Sequence, residues 1–114
     1  MSRSALLFPS PFDVIPYSVS TLGDNIIVPG IVNKSVRVWR MKMKIGGAVN
    51  ITIKDTDGNV YDGPLPFQAG SEGWVLDMTT IDSPAWYETA PGTGFVISLD
   101  AAVVCGGNVE CIVS

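Results

Sequence analysis

The grouping in this chain with the clearest chemical potential is acids among aromatic rings: Asp77, Asp82 and Glu88 lie near Trp74, Trp86 and Tyr87. A glycoside hydrolase needs two carboxyls held across a cleft lined by such rings. The spacing here does not force any two of these acids together, and 114 residues leave little room for a deep cleft. Solvated loop acids beside core aromatics are the expectation. Trp74 and Trp86 also suit a sugar-stacking platform, although a Trp in a small β-domain usually belongs to its core. The sequence has no histidine. That removes Ser-His-Asp and Cys-His nucleophile systems and His-ligated metals together. Cys105 and Cys111 alone do not make a four-ligand zinc site. The reading is non-enzymatic, with no catalytic or metal-ligating residue and no cofactor.

Asp55-Thr56-Asp57-Gly58-Asn59 looks superficially like a calcium loop. An EF-hand needs Gly at its sixth position and an acid at its twelfth, and those positions hold Val60 and Pro66. Asp57-Gly58 between two alternating runs predicts a hairpin with a type I′ turn instead. Gly92-x-Gly94 and Gly106-Gly107 precede no helix, so neither is a phosphate loop. Arg37, Arg40, Lys42 and Lys44 place four cations along one strand, interleaved with Trp39, Met41 and Met43. Such a strand can meet a polyanion or an acidic partner surface. It can also be a solvent-facing or edge strand whose charges blunt edge-to-edge pairing.

The elements that carry these residues read as strands. Phe95, Ile97 and Leu99 alternate with Val96, Ser98 and Asp100, the period of a strand with one buried face. Gly106-Gly107 predicts a tight hairpin turn before a last strand. In either hairpin register the two cysteines fail to approach for a disulfide, which leaves them as buried apolar thiols. Over Lys34 to Ile45, Trp39, Met41, Met43 and Ile45 share one parity. The other parity changes from Val36 and Val38 to Arg40, Lys42 and Lys44, which predicts a bulge or an exit from the core. Val49, Ile51 and Ile53 alternate cleanly. Gly63-Pro64-Leu65-Pro66-Phe67 does not suit a central strand. Between Val19 and Val28 a break is expected at Gly23-Asp24-Asn25. No segment shows capped helical periodicity. Eight or nine short strands predict an all-β fold, a single antiparallel β-sandwich of jelly-roll type.

The prolines at 9, 11 and 16 forbid helix and interior strand. Residues 1–18 therefore read as an extended N-terminal arm and residues 19–114 as the sandwich domain. Phe8, Phe12, Ile15 and Tyr17 would let the arm lie across another surface or fold back on its own sandwich. Ala5-Leu6-Leu7-Phe8 is too short and too proline-broken for a signal peptide, and no run approaches the ~20 apolar residues of a membrane helix.

Hydrophobic residues make up 46% and charged residues 16% of the chain, with a mean hydropathy of +0.33. In so small a domain much of that apolar content is superficial, and neighbouring subunits are expected to cover it. The net charge is −4, yet residues 1–54 carry seven cations and two acids while residues 55–114 carry nine acids and no cation. The acidic total argues against nucleic-acid binding. The asymmetry suits opposite-sign patches meeting between copies or partners, unless strands from both halves interleave and mix the charges.

Taken together, V-R-V-W-R-M-K-M-K, G-G-A-V-N-I-T-I-K-D, the G-P-L-P-F corner, W-Y-E-T-A-P-G-T-G-F-V-I-S-L-D-A-A-V and the closing G-G-N-V-E-C-I look like a group of small tailed-bacteriophage virion proteins. The likeness runs from about Val36 to the C-terminal residue and leaves the Pro-rich arm outside it. Its motifs are turn and core residues. The resemblance implies a β-sandwich head decoration (cement) protein, usually a homotrimer, made in the host cytoplasm and seated on the capsid exterior against the major capsid protein. Related sandwiches occur in tails and fibres, where a receptor- or carbohydrate-binding module is the alternative. On the decoration reading, Leu6, Leu7, Phe8 and Phe12 are the expected arm anchors, and Arg37, Arg40, Lys42 and Lys44 the expected electrostatic contacts. It also expects Trp74, Trp86 and Tyr87 to be buried, whereas the carbohydrate reading expects them exposed.

Overall fold

Short alternating runs punctuated by Gly, Pro and Asn favour strands. The computed structural model, which describes residues 12–68, 73–77 and 84–114, holds nine strands and no helix among those residues. They are β1 (Asp13–Val19), β2 (Gly23–Val28), β3 (Val36–Ile45), β4 (Val49–Asp55), β5 (Val60–Phe67), β6 (Gly73–Asp77), β7 (Tyr87–Glu88), β8 (Phe95–Leu99) and β9 (Cys105–Val113). One antiparallel sheet has the order β1-β9-β3-β6, with β7 beside β6 on the same flank of β3; the other has the order β2-β8-β4-β5. Pairing is nested. The first strand meets the last, the second meets the eighth, β3 meets β6 and β7, and β4 meets β5. That is the pattern of a long hairpin rolled into two facing sheets, the jelly roll.

The core lies between the sheets. Val36, Val38, Met41, Met43, Ile45, Cys105, Val109 and Cys111 come from the first sheet; Val49, Ile51, Ile53, Phe95, Ile97 and Leu99 come from the second. A regular strand buries one parity only, and β3 escapes this through the predicted bulge. Its register against β9 shifts between Val38 and Arg40. Val36 and Val38 face the core before the shift, and Met41, Met43 and Ile45 face it afterwards. Trp39, the extra residue, is buried against Phe12, with ring centroids 5.5 Å apart.

Several expectations give way. Gly106-Gly107 is not a hairpin turn: β8 and β9 lie in different sheets, and both glycines run inside β9 between β1 and β3. A Cβ on Gly107 would collide with the Lys42 carbonyl oxygen. Tyr17 Oη donates to that same oxygen at 2.9 Å, so the position needs bare backbone for close approach. Cys105 and Cys111 are indeed buried and unbridged. The geometric reason is different, since they share one face of β9 about 20 Å apart. The break between β1 and β2 falls at residues 20–22, with Asp24 and Asn25 inside β2. Asn25 still does a turn residue's work, donating through Nδ2 to the Thr21 and Gly23 carbonyls at 2.9 and 3.1 Å.

The β4–β5 connection is a turn, but not type I′. Gly58 has φ +91° while Asp57 does not have a positive φ. Gly58 N donates to Asp55 O at 3.1 Å, and Asp55 N donates to Asn59 O at 3.0 Å. This is a three-residue loop closed by a glycine bulge. The Gly-Pro-Leu-Pro-Phe segment is kept out of a central strand, as expected: it lies in β5, the edge of its sheet, where a missing N–H is tolerated. The span read as an arm is divided. Residues 13–18 pair with β9 as the edge strand β1, with Pro16 in its middle, while residues 1–11 lie outside the described residues.

Candidate functional site

The polar groups inside the sandwich serve the fold. Asp55 is fully buried, and its carboxylate accepts from Asp57 N (2.9 Å), Asn59 N (3.0 Å), Asn59 Nδ2 (2.9 Å) and Tyr61 Oη (2.6 Å). Burial opposes its ionisation, but those four donors outweigh it and bring the carboxyl down to about 2. Tyr61 also accepts from Ala90 N at 3.2 Å, tying the β7–β8 loop to this turn. Burial, helped by the bond to Asp55, pushes the Tyr61 phenol up to about 12. Tyr87 Oη donates to Asp62 at 2.8 Å. Tyr87 belongs to one sheet and Asp62 to the other, so the bond staples the sandwich along its β5/β7 side. Burial first, then Asp62, holds the Tyr87 phenol well above its ordinary range.

The acids singled out for a glycosidase show no pairing with one another among the described residues. Glu88 is exposed and bonded to Arg37, Asp77 pairs in register with Arg40, and Asp82 lies outside the described residues. Among the described residues no three His, Cys, Asp or Glu side chains are grouped to hold a metal ion. No helix among them is long and apolar enough to cross a membrane. Of the three rings on which the two binding readings divide, Tyr87 is buried, Trp86 is 47% exposed, and the Trp74 side chain is outside the description.

The predicted contact residues fare unequally. Leu6, Leu7 and Phe8 lie outside the described residues. Phe12 does not project as an anchor; it is buried on Trp39 of its own chain. Arg37 donates to Glu88 at 3.1 Å and to Ser114 Oγ at 2.7 Å, and Arg40 meets Glu110 at 3.3 Å. Lys54 meets Asp24 at 3.2 Å across β8, a pair within the first half of the chain. The two arginine pairs join cations of the first half to acids of the second and so mix part of the charge asymmetry. These partly exposed pairs are worth about 0–1 kcal/mol each. Lys42 and Lys44 are exposed on the outer face of β3 and make no ion pair among the described residues.

The most exposed large apolar side chain among the described residues, Val32, and its exposed neighbour Ile31 are residues that sequence reading passes over. Ile31 and Val32, in the β2–β3 loop, are 48% and 79% exposed. Their loop is braced: Lys34 N donates to Ile31 O at 3.0 Å, and Gly92 N donates to Lys34 O at 2.8 Å. Asn33 takes the left-handed conformation, φ 64°. Two β-branched residues between Pro29-Gly30 and Asn33-Lys34 are the signal that could find them, because a loop has no internal use for such side chains. Leu22, Ile26, Val60, Val75 and Val104 are exposed as well. Ile26 and Val60 end one cross-strand row on the outer face of the second sheet, with Val96 and Lys54 between them.

Comparison with protein-family models, with curated proteins and with solved structures yields no match.

Proposed function

We propose that the chain is a structural, non-enzymatic virion protein: a head decoration (cement) protein that binds the outer surface of a phage capsid and stabilises it. Its partners on this reading are the major capsid protein and further copies of itself in a trimer. The observation that carries the proposal is the braced, apolar Ile31-Val32 tip, backed by six further large apolar side chains left exposed. A pre-ordered loop loses little entropy on docking. Covering exposed apolar area contributes about 25 cal/mol per Å² at each contact, and symmetric copies multiply it. The jelly roll recurs in viral capsid domains and in lectins, so the fold accommodates this function without dictating it.

Cryo-EM of phage particles assembled with and without the chain tests the proposal. Added density at capsomer junctions, together with greater heat resistance of the filled shells, is the expected result. Density confined to the tail, or shells indifferent to the chain, would overturn it.

One observation favours a second reading, a receptor- or carbohydrate-binding module of a tail or fibre. Trp86 stands exposed next to Tyr87 and the exposed Glu88, and an indole face is a natural surface for sugar stacking. That reading expects glycans to quench Trp86 fluorescence and the effect to vanish in Trp86→Ala.

A further inference from the structure

The cations of β3 divide into two kinds. Arg37 and Arg40 are held by acids of the same chain, and Lys42 and Lys44 make no ion pair among the described residues. Guarding a sheet edge does not explain the lysines, because β3 is a central strand with β9 on one flank and β6 and β7 on the other. Among the described residues no acid stands directly opposite either lysine; Glu110 and Asp77 lie one row away, opposite Arg40. The cross-strand row through Lys42 runs Val75, Lys42, Asn108, Pro16, and the row through Lys44 runs Gly73, Lys44, Gly106, Ser18. Two ammonium groups thus stand on a flat floor of small or neutral residues, in a chain whose net charge is −4. The two lysines are alternate residues of one strand, so their stems rise about 6.7 Å apart on the same face.

We propose that this face docks an extended acidic segment of a partner protein, one presenting two carboxylates at alternate residues that meet Lys42 and Lys44. The spacing follows from strand geometry, since carboxylates at i and i+2 of a facing strand repeat at the interval of the lysines. The two rows through Lys42 and Lys44 hold no acid among the described residues, and the neighbouring Glu110 is engaged by Arg40, so a segment laid over these two rows meets little like-charge repulsion. A second copy of the chain is not the occupant. The only acids at alternate positions in its sequence are Asp55 and Asp57, and the Asp55 carboxylate is buried with all its donors inside the turn. The inference rests on the reading of the chain as a protein-binding virion component, and it names the chemistry of the partner.

The test is an NMR titration of the ¹⁵N-labelled chain with three probes: an acetylated and amidated (Glu-Thr)₄ peptide with four carboxylates, its uncharged (Gln-Thr)₄ counterpart, and a five-nucleotide single-stranded DNA whose four phosphates match the charge of the Glu peptide. The Glu peptide is expected to shift the amides of Lys42, Lys44, Gly106, Asn108 and Val75. Its affinity should fall as salt is raised through the range where the Debye length drops below ~10 Å. Each Lys→Gln substitution should weaken binding about 2- to 5-fold, and the K42E/K44E double variant at least about 10-fold. Unchanged affinity in K42E/K44E, shifts confined to other surfaces, or DNA binding as tight as the peptide would overturn the inference. A chain that binds the Glu peptide as described yet fails to decorate capsids leaves the docking face intact and removes the capsid reading. A chain that decorates capsids yet ignores the peptide does the reverse.

Discussion

Replacing Asp55 by Asn tests how this sandwich anchors its β4–β5 turn. The carboxylate is fully buried and faces four donors, and no acceptor is directed at it among these bonds. A depression from the ordinary 3.8 to about 2 corresponds to about 2.4 kcal/mol of stability at neutral pH. The flanking residues 56–59 are exposed, and solvent screening brings the expected contribution to about 1–2 kcal/mol. Because the folded pKa is the lower one, this stability is fully present above the unfolded value. It is lost as the pH falls from about 4 through 2. An Asn amide must turn its NH₂ toward one pair of donors, so Asp55→Asn should cost about 2–3 kcal/mol at pH 7. The gap between variant and native chain should narrow by about 1–2 kcal/mol between pH 5 and pH 2. Urea titrations followed by tryptophan fluorescence at those pH values measure both quantities, provided the transitions are two-state. A gap that stays constant down to pH 2, or no loss at pH 7, would refute the reasoning.

Three further outcomes are expected. All three tyrosines resist ionisation: burial lifts Tyr17 and Tyr87 well above their ordinary range and Tyr61 to about 12. Their stabilising contribution holds below the unfolded value near 10 and is lost as pH rises toward the folded values. An absorbance titration at 295 nm should therefore show no phenolate at pH 10.5 in the folded chain, and a midpoint near 10 would contradict this. Gly107→Ala drives a methyl into the Lys42 carbonyl between β9 and β3 and should cost more than about 3 kcal/mol or prevent folding, read from the urea midpoint. Burial raises both thiols, Cys111 to about 11; neither should react with a disulfide reagent in the native chain at pH 8, and both should react in 6 M guanidinium.

Much of the fold is legible in the residues. The polarity switch after Val38 marks the β3 bulge, because one strand face must change from core to solvent there. The prolines at 64 and 66 mark β5 as an edge, because each removes a ladder donor. The failure at Gly106-Gly107 depends on an atom far along the chain. A Gly-Gly pair between alternating runs has the same signature whether it turns or admits a neighbour, and the Lys42 oxygen that decides the matter at Gly107 lies on another strand. The role of Asp55 depends on Tyr61 folding back from the next strand. At the candidate site, the sequence shows four cations on one strand but not that Glu88 and Glu110 claim Arg37 and Arg40. It shows Ile31 and Val32 but not that their loop is braced in the open.

The central claim is that the exposed apolar tip is there to be covered. Hydroxyl-radical footprinting of the purified chain and of the same chain on assembled phage particles measures that cover directly. Strong protection of Ile31 and Val32 on the particles, with full labelling in the free chain, is the predicted result; equal labelling in both states would contradict the account.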